Sequence, residues 1–194
     1  EDKSMTSPLT LIISAFAPVT DVRETLTPEL QRVESVLLFI DLAGNKKRMG
    51  GSILAQCYGE LGVSTPNVEN SALLSSFFAL LQDSQVRSEI LAYHDRSDGG
   101  LMATLAEMSF CSRLGIEIEL PADENAIGFL FNEECGVVIQ VADDDVEGMV
   151  MAIQKAALTS IQVGRVVESQ SISIASNGVQ LYKASRSSLQ ERWS

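Results

Sequence analysis

Asn177-Gly178 stands between two short strand-like runs, Ser171–Ala175 and Val179–Lys183, and constrains the fold more than any other stretch. A two-residue hairpin turn needs positive φ at its central positions, which Asn and Gly supply with little strain. The chain therefore contains an antiparallel pair, and a pair alone is too weak to stand in water. A larger sheet has to surround it. The remaining strand candidates are Leu9–Val19 (LTLIISAFAPV, bracketed by Pro8 and Pro18), Val36–Leu42, Ala92–Asp95, Gly115–Leu120, Cys135–Val141 and Ile161–Val167. Strict alternation in GIEIEL buries one face of Gly115–Leu120 and wets the other. Leu9–Val19 reads as a buried strand.

Between these runs the spacing turns helical. Ile53–Leu61, Asn70–Leu81, Ser84–Leu91, Leu101–Phe110 and Val146–Ala157 are predicted helices, with Ser187–Trp193 as a short last one. Ser71–Leu81 is apolar nearly all round, which predicts a well-buried helix. Asp143-Asp144-Asp145 places three acids ahead of Val146, where they complement the helix dipole and offer a cap; a metal site is the competing reading of that triplet. Asp21–Leu30 is a connection. The sum is an α+β fold, a mixed β-sheet with helices packed on it, in a single domain spanning residues 1–194. A chain of 194 residues buries roughly 70% of its unfolded surface, enough for one core without metal or disulfide.

Charge narrows the function. Lys+Arg is 14 and Asp+Glu is 26, giving −12. Such a surface repels phosphate backbones and anionic lipid, so neither nucleic acid nor a membrane is an expected partner. No apolar run is long enough to cross a bilayer. Three scattered cysteines, Cys57, Cys111 and Cys135, fit neither a disulfide scaffold nor a zinc site, and are expected to be reduced, buried thiols of a cytoplasmic protein. The start, Glu1-Asp2-Lys3-Ser4, has no initiator Met and no secretory signal pattern, consistent with a piece of a longer polypeptide or a tag remnant.

Three stretches could carry chemistry. His94-Asp95-Arg96-Ser97-Asp98-Gly99-Gly100 joins a predicted strand to a predicted helix. The first amides of a helix have no internal partner and sit at its positive end, so they suit phosphate. Gly99 and Gly100 allow close backbone approach. Ser97 can bond a phosphate oxygen, and Asp95 or Asp98 can hold Mg²⁺, which needs few protein ligands. A plain tight turn, with Ser97 or Asp98 as N-cap, is the alternative. His94, the only histidine, excludes a His-rich metal cluster and weakens any Cys–His or Ser–His–Asp arrangement. The second stretch is the basic loop Lys46-Lys47-Arg48 with Gly50-Gly51-Ser52, either an anion site or a solvated loop. The third is Glu133-Glu134, either an acid/base pair or a turn.

Longer segments add a resemblance. AYHDRSDGGLMATLAEMSF (Ala92–Phe110), MTSPLTLIISAFAPVTDVRETLTPEL (Met5–Leu30), LLFIDLA (Leu37–Ala43), RMGGSILAQ (Arg48–Gln56) and FLFNEECGVVIQV (Phe129–Val141) occur in order. Together they resemble the C-terminal-type module of the aminoimidazole ribonucleotide synthetase-like superfamily, and within it the large, single-chain phosphoribosylformylglycinamidine synthase family. That resemblance implies a ligase of purine biosynthesis. It amidates formylglycinamide ribonucleotide with ATP and glutamine, with Mg²⁺ and ATP (ADP) as cofactors and ammonia from a glutaminase domain. It implies Asp95 as a Mg²⁺ ligand and Ser97 as a nucleotide contact, with His94, Asp98, Gly99 and Gly100 as neighbours in the motif. The other metal ligands and the glutaminase cysteine would lie in other domains of the same polypeptide, and none of the three cysteines matches that nucleophile's surroundings. The isolated chain is then expected to be inactive. A non-catalytic domain that packs against sister domains is the alternative function, motivated by the apolar Ser71–Leu81 helix.

Overall fold

A computed structural model describes residues 12–19, 21–122 and 124–193. Seven strands, β1 (Ser35–Asp41), β2 (Ile90–Asp95), β3 (Gly115–Leu120), β4 (Gly136–Ala142), β5 (Thr159–Val167), β6 (Ser171–Ser176) and β7 (Val179–Ser185), form one sheet in the order β2-β4-β1-β5-β3-β6-β7. All neighbours are antiparallel except β3 and β6. The hairpin lies where Asn177-Gly178 places it: Ser176 faces Val179, and φ is 50° at Asn177 and 74° at Gly178.

The helices are α1 (Ile53–Cys57), α2 (Ser71–Gln82), α3 (Ser84–Glu89), α4 (Gly100–Ser112), α5 (Ala126–Phe131), α6 (Val146–Lys155) and α7 (Arg186–Trp193). The period of two sorts the central strands between two cores. Leu37, Phe39 and Val138 meet Leu101, Leu105, Met108 and Phe129 of α4 and α5 on one face. Val36, Leu38, Ile40, Val137, Ile139 and Val141 meet Phe77, Val86, Met149 and Ile153 of α2, α3 and α6 on the other. Strands covered on both faces are apolar throughout, which is why VLLFID and GVVIQV show no alternation. In β3 Gly115, Ile116, Ile118 and Leu120 are buried, while Glu117 and Glu119 face solvent. The second helical layer therefore covers only part of the sheet.

Several expectations need correction. Residues 12–19 of the predicted Leu9–Val19 strand are in no strand, and Ile12, Ile13 and Phe16 are 78–95% exposed; residues 9–11 lie outside the described residues. Their pattern asks for a covered strand, but no edge or core among the described residues takes them. Helix α2 is not buried all round: only Phe77 is buried, Leu73, Leu74, Leu80 and Leu81 are partly so, and Phe78 is 66% exposed. Ile53–Leu61 is helical only to Cys57, because Gly59 and Gly62 turn left-handed and fold the chain back on Gly50 and Gly51. Cys57 and Cys111 are exposed free thiols and Cys135 is half-buried, so the buried-thiol expectation fails. Asp143–Asp145 form a 3-10 turn that places no side chain on the start of α6, and Asp143 instead pairs with Arg165. No group of three or more acids, His or Cys among the described residues converges as a metal site, and the Asp143-Asp144-Asp145 triplet forms none. Helix α5 has no sequence counterpart above; Asn125 caps it through Gly128 N, but Gly128 and the short run hide it.

Candidate functional site

Strand β2 lies at one edge of the sheet, and its last residue opens the site. The alternation of the strand continues one step past its end. Asp95 and Ser97 point outward and are exposed, while Arg96 between them points in, its side chain 2% exposed. Arg96 holds this geometry from behind. Its amide donates to the Gly136 carbonyl at 2.7 Å, Nε to the Glu134 carbonyl at 2.5 Å and Nη2 to the Cys135 carbonyl at 3.2 Å. The guanidinium lies 4.7 Å over the Phe39 ring, with Asp41 at 3.9 Å. Burial pushes the Arg96 pKa down to about 10, against the opposing pull of Asp41 and Glu134. The cation remains charged at neutral pH.

The Asp95 carboxylate is 67% exposed, and the one ion-pair partner it finds among the described residues is His94 Nδ1, at 3.8 Å. His94 is engaged elsewhere: Nε2 donates to Glu107 Oε2 at 2.8 Å, and Trp193 Nε1 of α7 donates to Glu107 Oε1 at 3.2 Å. Trp193 also packs its ring 5.9 Å from that of Phe110. His94 is therefore fixed by α4 and α7, as a braced residue rather than a free base. Burial, with a smaller push from Asp95, raises the neighbouring Tyr93 phenol to about 12.

The paired glycines have a strict geometric job. Gly99 and Gly100 sit at φ 81° and 68°. A Cβ on Gly100 would lie 2.7 Å from the carbonyl oxygens of both Leu130 and Asn132. Gly99 is the N-cap of α4, and neither the Ser97 hydroxyl nor the Asp98 carboxylate caps that helix. The tight turn is present, with Gly100 N donating to the Ser97 carbonyl at 3.0 Å, but it is not capped by the side chains expected to do so. Asp95 also lines an open groove of about 620 Å³ with Leu74, Phe77, Phe78, Tyr93 and Arg96, while Ser97 stands outside its lining.

The other two stretches converge on this turn. Glu133 Oε1 accepts from the amides of Gly99 and Ile53, both at 2.8 Å. Glu134 is fully buried and paired with Arg48, whose Nε and Nη2 lie 2.5 and 2.9 Å from its oxygens. Burial works to raise the Glu134 carboxyl, but the Arg48 hydrogen bonds outweigh it and hold the group below its ordinary value; the same pairing raises Arg48. Lys47 is paired with Glu124 at 2.6 Å and Arg48 also with Glu69 at 2.7 Å. The basic loop is thus internally neutralised and offers no free cationic patch from Lys47 or Arg48. Sequence reasoning passed over Arg96 and Glu107. Continuing the alternation of β2 one residue further would have placed Arg96 inside, whereas nothing in the sequence signals that Glu107 reaches His94.

The match with known proteins follows this geometry. Residues 34–177 match the model of the AIR synthase related protein family, C-terminal domain, and the chain belongs to that family. Within it, the sequence is similar to the phosphoribosylformylglycinamidine synthase of Schizosaccharomyces pombe, at 41% identity over 201 residues; the match takes in 99% of this chain and 15% of that one. The chain thus spans about a seventh of that relative's length. Among solved structures, Thermotoga maritima PurL complexed with ATP superposes with a TM-score of 0.69 at 12% identity, over 86% of this chain and 27% of that one. E. coli HypE, a hydrogenase maturation protein, superposes at 0.55 with 23% identity, over 80% and 51%. The expected α+β sheet fold is the one these structures share. At such identities they establish the fold, and one fold hosts different chemistries. No helix among the described residues is long and apolar enough to cross a membrane.

Proposed function

We propose that this chain is one domain of a longer phosphoribosylformylglycinamidine synthase, the ATP- and glutamine-dependent ligase that amidates formylglycinamide ribonucleotide in purine biosynthesis. In that reading it contributes part of a Mg-nucleotide site. The observation that carries it is the outward pair Asp95 and Ser97, held apart from the protein's own hydrogen bonding by the buried Arg96. An exposed carboxylate and an exposed hydroxyl at a sheet edge, just before two glycines that clear the backbone, suit a ligand with phosphate oxygens. Solved structures of T. maritima PurL with ATP, ADP and AMPPCP support a nucleotide as that ligand.

The residues fit Mg²⁺ as a partial set. Magnesium takes one or two carboxylates and completes its shell with water and phosphate oxygens. Asp95 would supply such a ligand, and Ser97 would donate to a phosphate oxygen. When bound, the ion neutralises charge on the transferring phosphoryl group. Asp98, Gly99 and Gly100 shape the turn beside them, and Glu107 keeps the His94 ring in place. Since no three metal-binding side chains converge among the described residues, the other ligands would come from sister domains of the same polypeptide. The glutamine-hydrolysing centre would also lie there.

The test is made in the full-length enzyme. Asp95→Asn and Ser97→Ala should each lower ATP-dependent amidine formation at least tenfold and leave glutamine hydrolysis in place. The second reading, a domain whose task is packing alone, draws on the exposed Phe78 and the exposed 12–19 segment, which are apolar surfaces suited to a neighbour. It is the correct one if both variants turn over and bind nucleotide like the parent.

A further inference from the structure

We propose that Glu133 is a positioning residue that ties two glycine loops into one unit and thereby keeps Asp95 and Ser97 in register. The proposal rests on the reading of those two residues given above. One carboxylate oxygen, Oε1, receives two amide donors from parts of the chain far apart in sequence: Gly99 in the turn before α4, and Ile53, first residue of α1, directly after Gly51-Ser52. The near end of the turn is secured by Arg96, through the carbonyls of Glu134, Cys135 and Gly136. The far end is secured by Glu133. Ser97 lies between these two anchors, and among the described residues its backbone is held by its carbonyl, which accepts from Gly100 N at 3.0 Å. Removing Glu133 would leave Gly99, already left-handed, without a partner for its amide.

The chemistry separates this role from the acid/base or metal roles that a Glu-Glu pair suggests. Proton transfer needs an ionisable carboxylate, and a hard divalent cation is held far better by a carboxylate than by a neutral amide oxygen. Accepting two amide hydrogens needs only an sp² oxygen in the right place, and a glutamine side-chain carbonyl provides one. Glutamine at this position therefore distinguishes the two roles: it preserves positioning and abolishes ionisation.

The experiment uses the full-length enzyme with Mn²⁺ in place of Mg²⁺. Retention of Mn²⁺ in the presence of ADP is read by electron paramagnetic resonance, and amidine formation is measured alongside. Glu133→Ala should weaken Mn²⁺ retention about tenfold, the scale at which supporting groups act on metal sites. Glu133→Gln should restore most of it. If Glu133→Gln is as damaging as Glu133→Ala, the charge is what matters and the positioning role is wrong. If Glu133→Ala retains Mn²⁺ like the parent while Asp95→Asn loses it, the proposal is overturned and the Asp95 reading stands. If Asp95→Asn itself changes nothing, that reading falls and takes the proposal with it. Should Glu133→Ala fail to fold, Glu133→Asp keeps the charge, withdraws the oxygen by one methylene and carries the same expectation as the alanine.

Discussion

Replacing Gly100 with alanine should destabilise the domain by about 2–5 kcal/mol. Its φ of 68° costs an L-residue about 1–2 kcal/mol. The added Cβ would meet the carbonyl oxygens of Leu130 and Asn132 at 2.7 Å and the Phe131 carbonyl carbon at 2.8 Å. These are backbone atoms at the end of α5, so no flexible side chain can swing aside, and forcing extra volume into a packed site adds about 1–3 kcal/mol. For a protein of this size 1 kcal/mol moves the melting temperature by about 2–4 °C, so the expected fall is about 4–20 °C. Gly148→Ala is the matched control. That glycine lies on the exposed side of α6, and a Cβ added there would have no neighbouring atom within 4 Å; alanine should add about 0.5–1 kcal/mol through helix propensity. Circular dichroism melts of the parent and both variants decide the matter. A Gly100→Ala protein that melts within a degree of the parent would refute the close approach of α5 to the turn, and with it the geometric reason for the paired glycines.

Acid titration should single out Glu134. Its folded-state carboxyl lies below the ordinary 4.5, so the unfolded chain takes up the proton first; the stabilisation is present above that value and is lost as pH falls through the folded one. Glu134→Gln should be less stable than the parent at neutral pH, and the gap should narrow toward pH 3 in urea melts; a constant gap would contradict the pairing with Arg48. Phe16→Ser, at an exposed position, should leave the unfolding free energy from urea melts unchanged within about 0.5 kcal/mol, and a clear loss would show that residues 12–19 are packed. Thiol labelling with a disulfide reagent should modify Cys57 first, then Cys111, whose pKa is raised by burial and by Glu107, and half-buried Cys135 last; Cys135 reacting ahead of either of the others would contradict those exposures.

What was legible in the sequence tracks where local pattern and tertiary context agree. The hairpin at Asn177-Gly178 is set by the backbone of two residues, and Gly115–Leu120 by its alternation, so both are readable without knowing their neighbours. The continuous apolar runs of β1 and β4 identify the strands but not their order in the sheet. Residues 12–19 and α2 depart from their patterns for a single reason: hydrophobic pattern reports that a surface is to be covered, not that this chain covers it. In the site, residue types and glycines in the motif were visible. The buried side of the turn was not, because Arg96 is held by carbonyls from Glu134 and Cys135, and His94 by Glu107, which Trp193 in turn holds, pairings that only the folded chain creates. Glu133-Glu134 looked like one pair and is two separate devices, one accepting amides and the other neutralising Arg48.

The position of β1 in the sheet has a consequence for biosynthesis. This strand is made before both of its neighbours, β4 and β5, with which it forms pairings such as Ile40 to Val137 and to Ser160. On a ribosome adding about 5–20 residues per second, on the order of 100 residues separate β1 from its first partner, a wait of roughly 5–20 s. Throughout that interval VLLFI lacks both of its sheet neighbours. Nascent chains stalled before Gly136 should therefore recruit holdase chaperones through this stretch, and chains stalled beyond Val167 should release them.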